Sequence, residues 1–207
     1  MSDANRTIRP TLHHYGLTTA NLKAMSEWYR TVLGMAVVFE TSSPLGKNIP
    51  ITVSAAWITN DEANHRIGLI ALPQLTKDLQ KSTHVRLQHV AYEYNSLEEL
   101  LQTYVRLKAV GIIPLLSADH GPTTSMYYED PDGNSVELLV DNFGDWEKSG
   151  IFMRTAPEFA TLPMGQYIDP ERILAARATG ASPQEIHRRA YAGEFTPGQP
   201  VDPHVLM

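Results

Sequence analysis

The 207-residue chain contains no cysteine. That excludes disulfides, thiolate metal sites and a cysteine nucleophile, and it leaves the redox compartment open. Nor is there a run of basic residues. Seventeen Lys and Arg stand against 23 Asp and Glu, for a formal charge of −6, which argues against nucleic acid and anionic membrane surfaces as partners. No apolar run approaches the length of a membrane span, and the opening MSDANRTIRP is polar, without the apolar core of a signal peptide. A cytoplasmic location is the expectation. What is present, 43% apolar and 19% charged residues, suits a globular protein with a core of its own.

One pattern occurs twice. HHYGLTTANLKAMSEWYRTVLG (13–34) and QHVAYEYNSLEELLQTYVRLKAVG (88–111) both read as a short strand, a turn carrying Asn, and an amphipathic helix closed by Gly. In the first, Leu22, Met25, Trp28, Tyr29 and Val32 fall at helical spacing, with Gly34 able to take a left-handed terminal position. In the second, Ser96 and Glu99 match a capping box, and Leu97, Leu100, Leu101, Tyr104 and Leu107 form the stripe ahead of Gly111. Strand signals follow each helix, at 36–40, 51–58 and 66–72, then at 112–116, 125–129 and 135–140. The fold class expected is α+β: two paired βαβββ modules (about 10–75 and 85–142) within one domain over 8–142.

Residues 143–207 change character. Pro- and Gly-rich connectors surround two helices expected near 170–179 and 183–191, the second with Ser182, Pro183 and Glu185 at N-cap, N1 and N3. This reads as a helical C-terminal extension that wraps the core or a neighbouring subunit, its last ten or so residues disordered.

Three residues stand out for chemistry. His14 and His89 hold the same place in the two copies, and Glu137 lies in VELLV, whose neighbours demand a buried strand. A carboxylate is costly to bury unless something positive holds it. Two imidazoles and one carboxylate form the facial triad that suits non-haem Fe(II) and leaves positions open for other ligands. A strand histidine taken singly is more often a satisfied core residue; the repeat and the buried Glu weigh the other way for the set. His13 competes with His14, but a strand is expected to send the two to opposite faces.

The segments HHYGLTTANLKAMSEWYRTVLGM, NHRIGLIALP, LQHVAYEYNSLEEL and DHGPTTSMYYEDPDGNSVELLVD, spanning about 10–142, resemble the vicinal oxygen chelate superfamily. Within it they are most similar to type I extradiol dioxygenases of the catechol and biphenyl-diol kind. The resemblance implies a barrel-like sheet built by the paired modules, and His14, His89 and Glu137 as ligands of Fe(II), with Mn(II) the alternative. It gives His65 and His120 the roles of substrate placement and proton transfer, and Tyr127 a hydrogen bond to substrate oxygen. Small aromatic diols and O2 are the implied partners, and a homo-oligomer the implied assembly. The loop HGPTTSMY is about two residues shorter than in two-domain catechol enzymes, which bears on the reach of His120. His84, His187 and His204 match nothing in the family and are expected at the surface.

Laying RIGLIAL on NSVELLV sets Leu69 opposite Glu137. The first copy then supplies no second carboxylate of the glyoxalase kind, and three ligands leave room for a chelating diol and dioxygen. A non-oxidative isomerase, epimerase or thiol transferase using the same ligands, and a metal-free binding module, are the rival readings.

Overall fold

In the computed structural model, residues 7–206 are described, apart from the side chain of Pro50. The chain divides into two compact units, one ending at Lys77 and one starting at Asp78. The first holds β1 (Tyr15–Thr19), α1 (Leu22–Leu33), β2 (Ala36–Gly46), β3 (Ile49–Thr59) and β4 (Ile67–Ala71). The second opens with β5 (His89–Tyr94), α2 (Leu97–Ala109), β6 (Leu116–Asp119), β7 (Thr123–Glu129) and β8 (Ser135–Asp141). Both are βαβββ, and both sheets follow one plan. Strand order is β1-β4-β3-β2 in the first and β5-β8-β7-β6 in the second, whose outer edge carries one strand more. In each, the first strand lies parallel to the last. These are two open sheets; no closed barrel forms among the described residues.

Local chemistry fixes the helix ends. The Asn21 side chain accepts the Ala24 N–H at the start of α1, and Gly34, at φ 68°, closes it by donating its N–H to the Arg30 carbonyl. Ser96 accepts the Glu99 N–H at 3.2 Å, while the Glu99 carboxylate reaches back to the N–H of Asn95 at 3.0 Å. That is the expected reciprocal cap with its return bond shifted one residue. Met25, Tyr29 and Val32 of α1 are buried where it packs on β3 and β4; Leu97, Leu100, Leu101, Tyr104 and Leu107 of α2 are buried as it packs on β5 and β8.

Two expectations need correction here. The strand expected at 112–116 is instead β6 at Leu116–Asp119, because Pro114 has no N–H to give a ladder. LSAD includes two polar residues, yet all four are buried. The last ten residues also have structure: Pro203–Leu206 form a 3-10 turn with Val205 only 2% exposed.

The stretch from Asn142 builds onto the second unit. Both expected helices are there, as α5 (Pro170–Ala178) and α6 (Pro183–Tyr191), with Ser182 capping the second through the Glu185 N–H. Two more precede them, α3 (Trp146–Thr155), capped by Asp145, and α4 (Pro157–Thr161). Between α4 and α5, β9 (Gln166–Tyr167) adds the fifth strand, antiparallel to β6. Helix α5 packs on α2, α6 on β6, and the 3-10 turn on β7. Among the described residues no helix is long and apolar enough to cross a membrane.

Leu138 is fully buried in β8, between β5 and β7. Leu138→Ala is expected to lower the unfolding free energy by about 2–5 kcal/mol, and Ser182→Ala, which removes one cap, by about 1 kcal/mol. Urea titrations of both variants check this; equal losses would mean that β8 is not the centre of the core.

Candidate active site

The chemistry-bearing side chains of the second unit lie on one face of its sheet. The turn between β7 and β8 sets their register. Asp130 accepts the N–H groups of Asp132 and Asn134 and the side-chain amide of Asn134, and Gly133 takes φ 80°. The hairpin so fixed pairs Tyr127 with Glu137, and the parallel ladder with β5 pairs Ala91 with Glu137 and His89 with Ser135. Val136 and Leu138 point to the α2 side, as does Tyr128, whose hydroxyl feels Tyr104 of α2. Glu137 faces away from that helix.

There it is 4% exposed and held at both oxygens. Oε2 lies 3.0 Å from Nε2 of His89, and Oε1 accepts the Tyr127 hydroxyl at 2.8 Å. Burial pushes the Glu137 carboxyl up, but the hydrogen bonds from His89, Ser125 and Tyr127 outweigh it and hold the group below its ordinary value. His89 is further oriented through Nδ1 by the Gln88 side chain. The Tyr127 oxygen also meets Nε2 of His120 at 2.9 Å, and Nδ1 of His120 lies 2.8 Å from the Met164 carbonyl oxygen. Despite its short loop, His120 thus reaches the face that carries Glu137. The row runs Met164, His120, Tyr127, Glu137, His89. Over Tyr127 pack Leu116, Ala118 and Val205, with Val201 and Leu206 at the margin.

The first unit holds His13, His14 and His65. His14 and His65 have ring centroids 4.3 Å apart, and His13 lies 5.1 Å from His14. The expectation that a strand separates His13 from His14 is wrong. β1 begins only at Tyr15, so both precede it and their Nδ1 atoms are 2.9 Å apart. Arg66 anchors this approach, forking onto Asp61 at 2.9 and 2.7 Å and donating to the His13 carbonyl at 2.9 Å. The same fork pulls the Asp61 carboxyl down to about 2. Burial, then the neighbouring His14 and His13, lowers His65 below the ordinary histidine value, which favours its neutral ring. Among the described residues no cluster of three or more His, Cys, Asp or Glu is placed to hold a metal ion. The structure brings together His89, Glu137, Tyr127 and His120 in one unit, and His14 and His65 in the other.

The pairing of Leu69 with Glu137 also needs correction. Across the first sheet Leu69 aligns with Leu17 and Ala56, and Ile67 with Ile58, on the buried face that α1 covers. Glu137 faces away from its helix, so its counterparts in β4 are Gly68 or Ile70, which share the opposite face with Trp57 and Ala55. Neither can ligate a metal.

His187 was expected at the surface and is not there. Its Nδ1 pairs at 2.8 Å with the fully buried carboxylate of Asp119, which also accepts the Gly121 N–H at 2.8 Å. A partner 68 residues away leaves no local signal. His204 bridges Glu129 at 3.1 Å and Asp202 at 2.9 Å, half-buried at best. His84 pairs with Asp78 and is exposed, as expected.

Residues 11–138 match the family model described as the glyoxalase/bleomycin resistance protein/dioxygenase superfamily. Biphenyl-2,3-diol 1,2-dioxygenase 2 of Rhodococcus globerulus is 37% identical over 194 residues, covering 94% of this chain and 95% of that protein. Biphenyl-2,3-diol 1,2-dioxygenase 3 of the same organism is 36% identical over 186 residues, covering 90% and 92%. In fold, the chain is similar to a glyoxylase/bleomycin resistance protein/dioxygenase domain from Frankia sp. EAN1pec, with TM-score 0.51 and 17% identity over 65% of this chain and 93% of that one.

Tyr127 gives a direct measurement. Burial first, then the Glu137 carboxylate, pushes its phenol far above the ordinary value of 10.0. Folding favours the neutral phenol, so this contribution to stability is complete below 10.0 and is lost as pH rises through the folded value. Ultraviolet titration should show a set of tyrosines that ionise only when alkali unfolds the protein, and Tyr127→Phe should shrink that set by one. An unchanged set would place Tyr127 in solvent.

Proposed function

Because the chain belongs to the glyoxalase/bleomycin resistance protein/dioxygenase superfamily, we propose that it is an extradiol dioxygenase that uses Fe(II) and O2 to open a catechol-type aromatic diol beside its two hydroxyls. The full-length likeness to two biphenyl-2,3-diol 1,2-dioxygenases supports the reaction class. The observation that carries the site is the approach of His89 Nε2 and Glu137 Oε2 to 3.0 Å on the buried face. Two ligands at right angles on one metal, each with a bond of about 2.1 Å, stand about 3.0 Å apart. These two donors therefore suit adjacent positions on one metal ion.

In this reading His14 is the third ligand, its backbone steadied by the bond from Arg66 to the neighbouring carbonyl. Gly68 and Ile70 offer no fourth, which favours a site open to diol and dioxygen over the four-ligand glyoxalase type. Bound there, Fe(II) supplies a Lewis acid that makes the diol hydroxyls more acidic and a path for electrons from diol to O2. His65, whose surroundings favour the neutral ring, accepts a proton from one hydroxyl. Tyr127 donates its hydroxyl hydrogen to Glu137 or turns it toward a substrate oxygen. With Nδ1 committed to the Met164 carbonyl, His120 takes up or delivers its proton at Nε2. Leu116, Ala118 and Val205 keep water from the Tyr127 side.

Fe(II)-loaded protein given 2,3-dihydroxybiphenyl is expected to consume one O2 per diol and to form a yellow ring-fission product. His14→Ala, His89→Ala and Glu137→Ala should each lose bound iron, and His13→Ala should keep it. His120→Asn should keep iron and lose about 10²–10⁴-fold in kcat. Metal analysis and an oxygen electrode decide the matter. Full iron in Glu137→Ala, or no oxygen uptake across a panel of diols, overturns the reading.

A further inference from the structure

We propose that Met164 and Gly165, in the segment after the superfamily region, set the tautomer of His120, with Gly165 as the positioning residue. The inference rests on the reading of His120 as the proton-transfer group. A carbonyl oxygen can only accept, so the 2.8 Å contact from Met164 to Nδ1 requires that nitrogen to carry hydrogen. A histidine free in water prefers the other arrangement, with hydrogen on Nε2. The carbonyl reverses the preference, and the bare Nε2 of the neutral ring then accepts the single Tyr127 hydroxyl hydrogen, 2.9 Å away, when that hydrogen turns from Glu137 Oε1.

This carbonyl reaches His120 because of the residue that follows it. Gly165 has φ 71°, and a Cβ there would overlap the Asp119 carbonyl oxygen and come within 2.5 Å of the His120 Cα. Those are backbone atoms of β6 and its exit, and they cannot swing aside. Only glycine lets the chain press against Asp119 and His120, with Gln166 pairing to Asp119 and Tyr167 to Ala118 in the β6–β9 ladder. On the other side, Gly121 at φ 93° is walled by Phe152, whose ring a Cβ would meet at 2.8 Å, and by Tyr191. The Asp119 carboxylate is tied to the Gly121 N–H and to His187 of α6. His120 is thereby gripped on both flanks by residues beyond Asn142, none of which touches Glu137 in the contacts described above.

The test reads the imidazole itself. In metal-free wild type carrying 15N-histidine, at about pH 9 where a histidine ring is neutral, the His120 resonances are expected to show hydrogen on Nδ1 and none on Nε2. Gly165→Ala should shift the ring toward the Nε2–H form. Gly180→Ala, also at positive φ but with open space around its Cβ, serves as the control for left-handed strain and should leave the tautomer as it is. In the iron-loaded enzyme Gly165→Ala should lose about 100-fold in kcat, the scale expected of a misplaced catalytic group, with KM little changed. Combined with His120→Asn it should cost no more than His120→Asn alone, because both losses pass through one side chain. A wild-type ring with hydrogen on Nε2 overturns the proposal, and that measurement needs no variant to fold. A Gly165→Ala ring identical to wild type, or losses that multiply, removes Gly165 from the role. If wild type turns over no diol, the tautomer still decides this inference while the dioxygenase reading fails separately.

Discussion

A carboxylate buried in a β-sheet has to be held, and the second unit is organised around holding Glu137. Leaving such a group unpaired costs several kcal/mol, far more than one hydrogen bond returns. Its two oxygens are met from both sides, by Tyr127 across an antiparallel ladder and by His89 from the adjacent parallel strand. Those two partners require β8 to lie between β7 and β5, which is the strand order observed. The βαβββ topology is thus what lets one carboxylate touch groups from both neighbouring strands. The Asp130 turn fixes the register, and a slip of one residue would turn Glu137 into the α2 core.

Duplication accounts for the scaffold and not for the site. Both units repeat the strand–helix–three-strand plan, but their faces diverge. In the first, the matching face of β4 carries Gly68 and Ile70; in the second, the face of β8 carries a carboxylate backed by tyrosine and histidine. Residues that follow Asn142 deepen the difference. They extend the second sheet by β9, cover Tyr127 with Val205 and clamp the exit of β6 through Asp119 and His187.

Most of the architecture was legible in the sequence because its signals are local. Helical stripes, the Ser96 and Ser182 caps, the closing glycines and the buried VELLV strand each depend on residues a few positions apart. Glu137 was legible for the same reason, being charged where its neighbours are not. Errors arose where one residue of parity decides a face. Alternation holds only inside a strand, and β1 starts after both His13 and His14; Leu69 and Glu137 align in sequence but point to opposite sides of their sheets. Contacts distant in sequence left no trace: Asp119 with His187, and His120 with the Met164 carbonyl. The polar LSAD strand was hidden because its burial comes from α6 and β9, which lie far downstream.

In each module the first strand is paired with the last, and this has a consequence for synthesis. β1 leaves the ribosome with no partner until β4 follows, and β5 waits in the same way for β8. Helix α1 can form in the interval, since its caps and hydrogen bonds are its own, but neither sheet can close. Pairings so distant in sequence are slow to form, and domains fold as units during synthesis, N-terminal parts first. The unit ending at Lys77 can therefore close while the other is still being made. The second cannot finish its chemical face until Gly165 has met His120 and Val205 has covered Tyr127. A ribosome halted soon after β8 would hold a chain with every proposed iron ligand and with His120 still unguided.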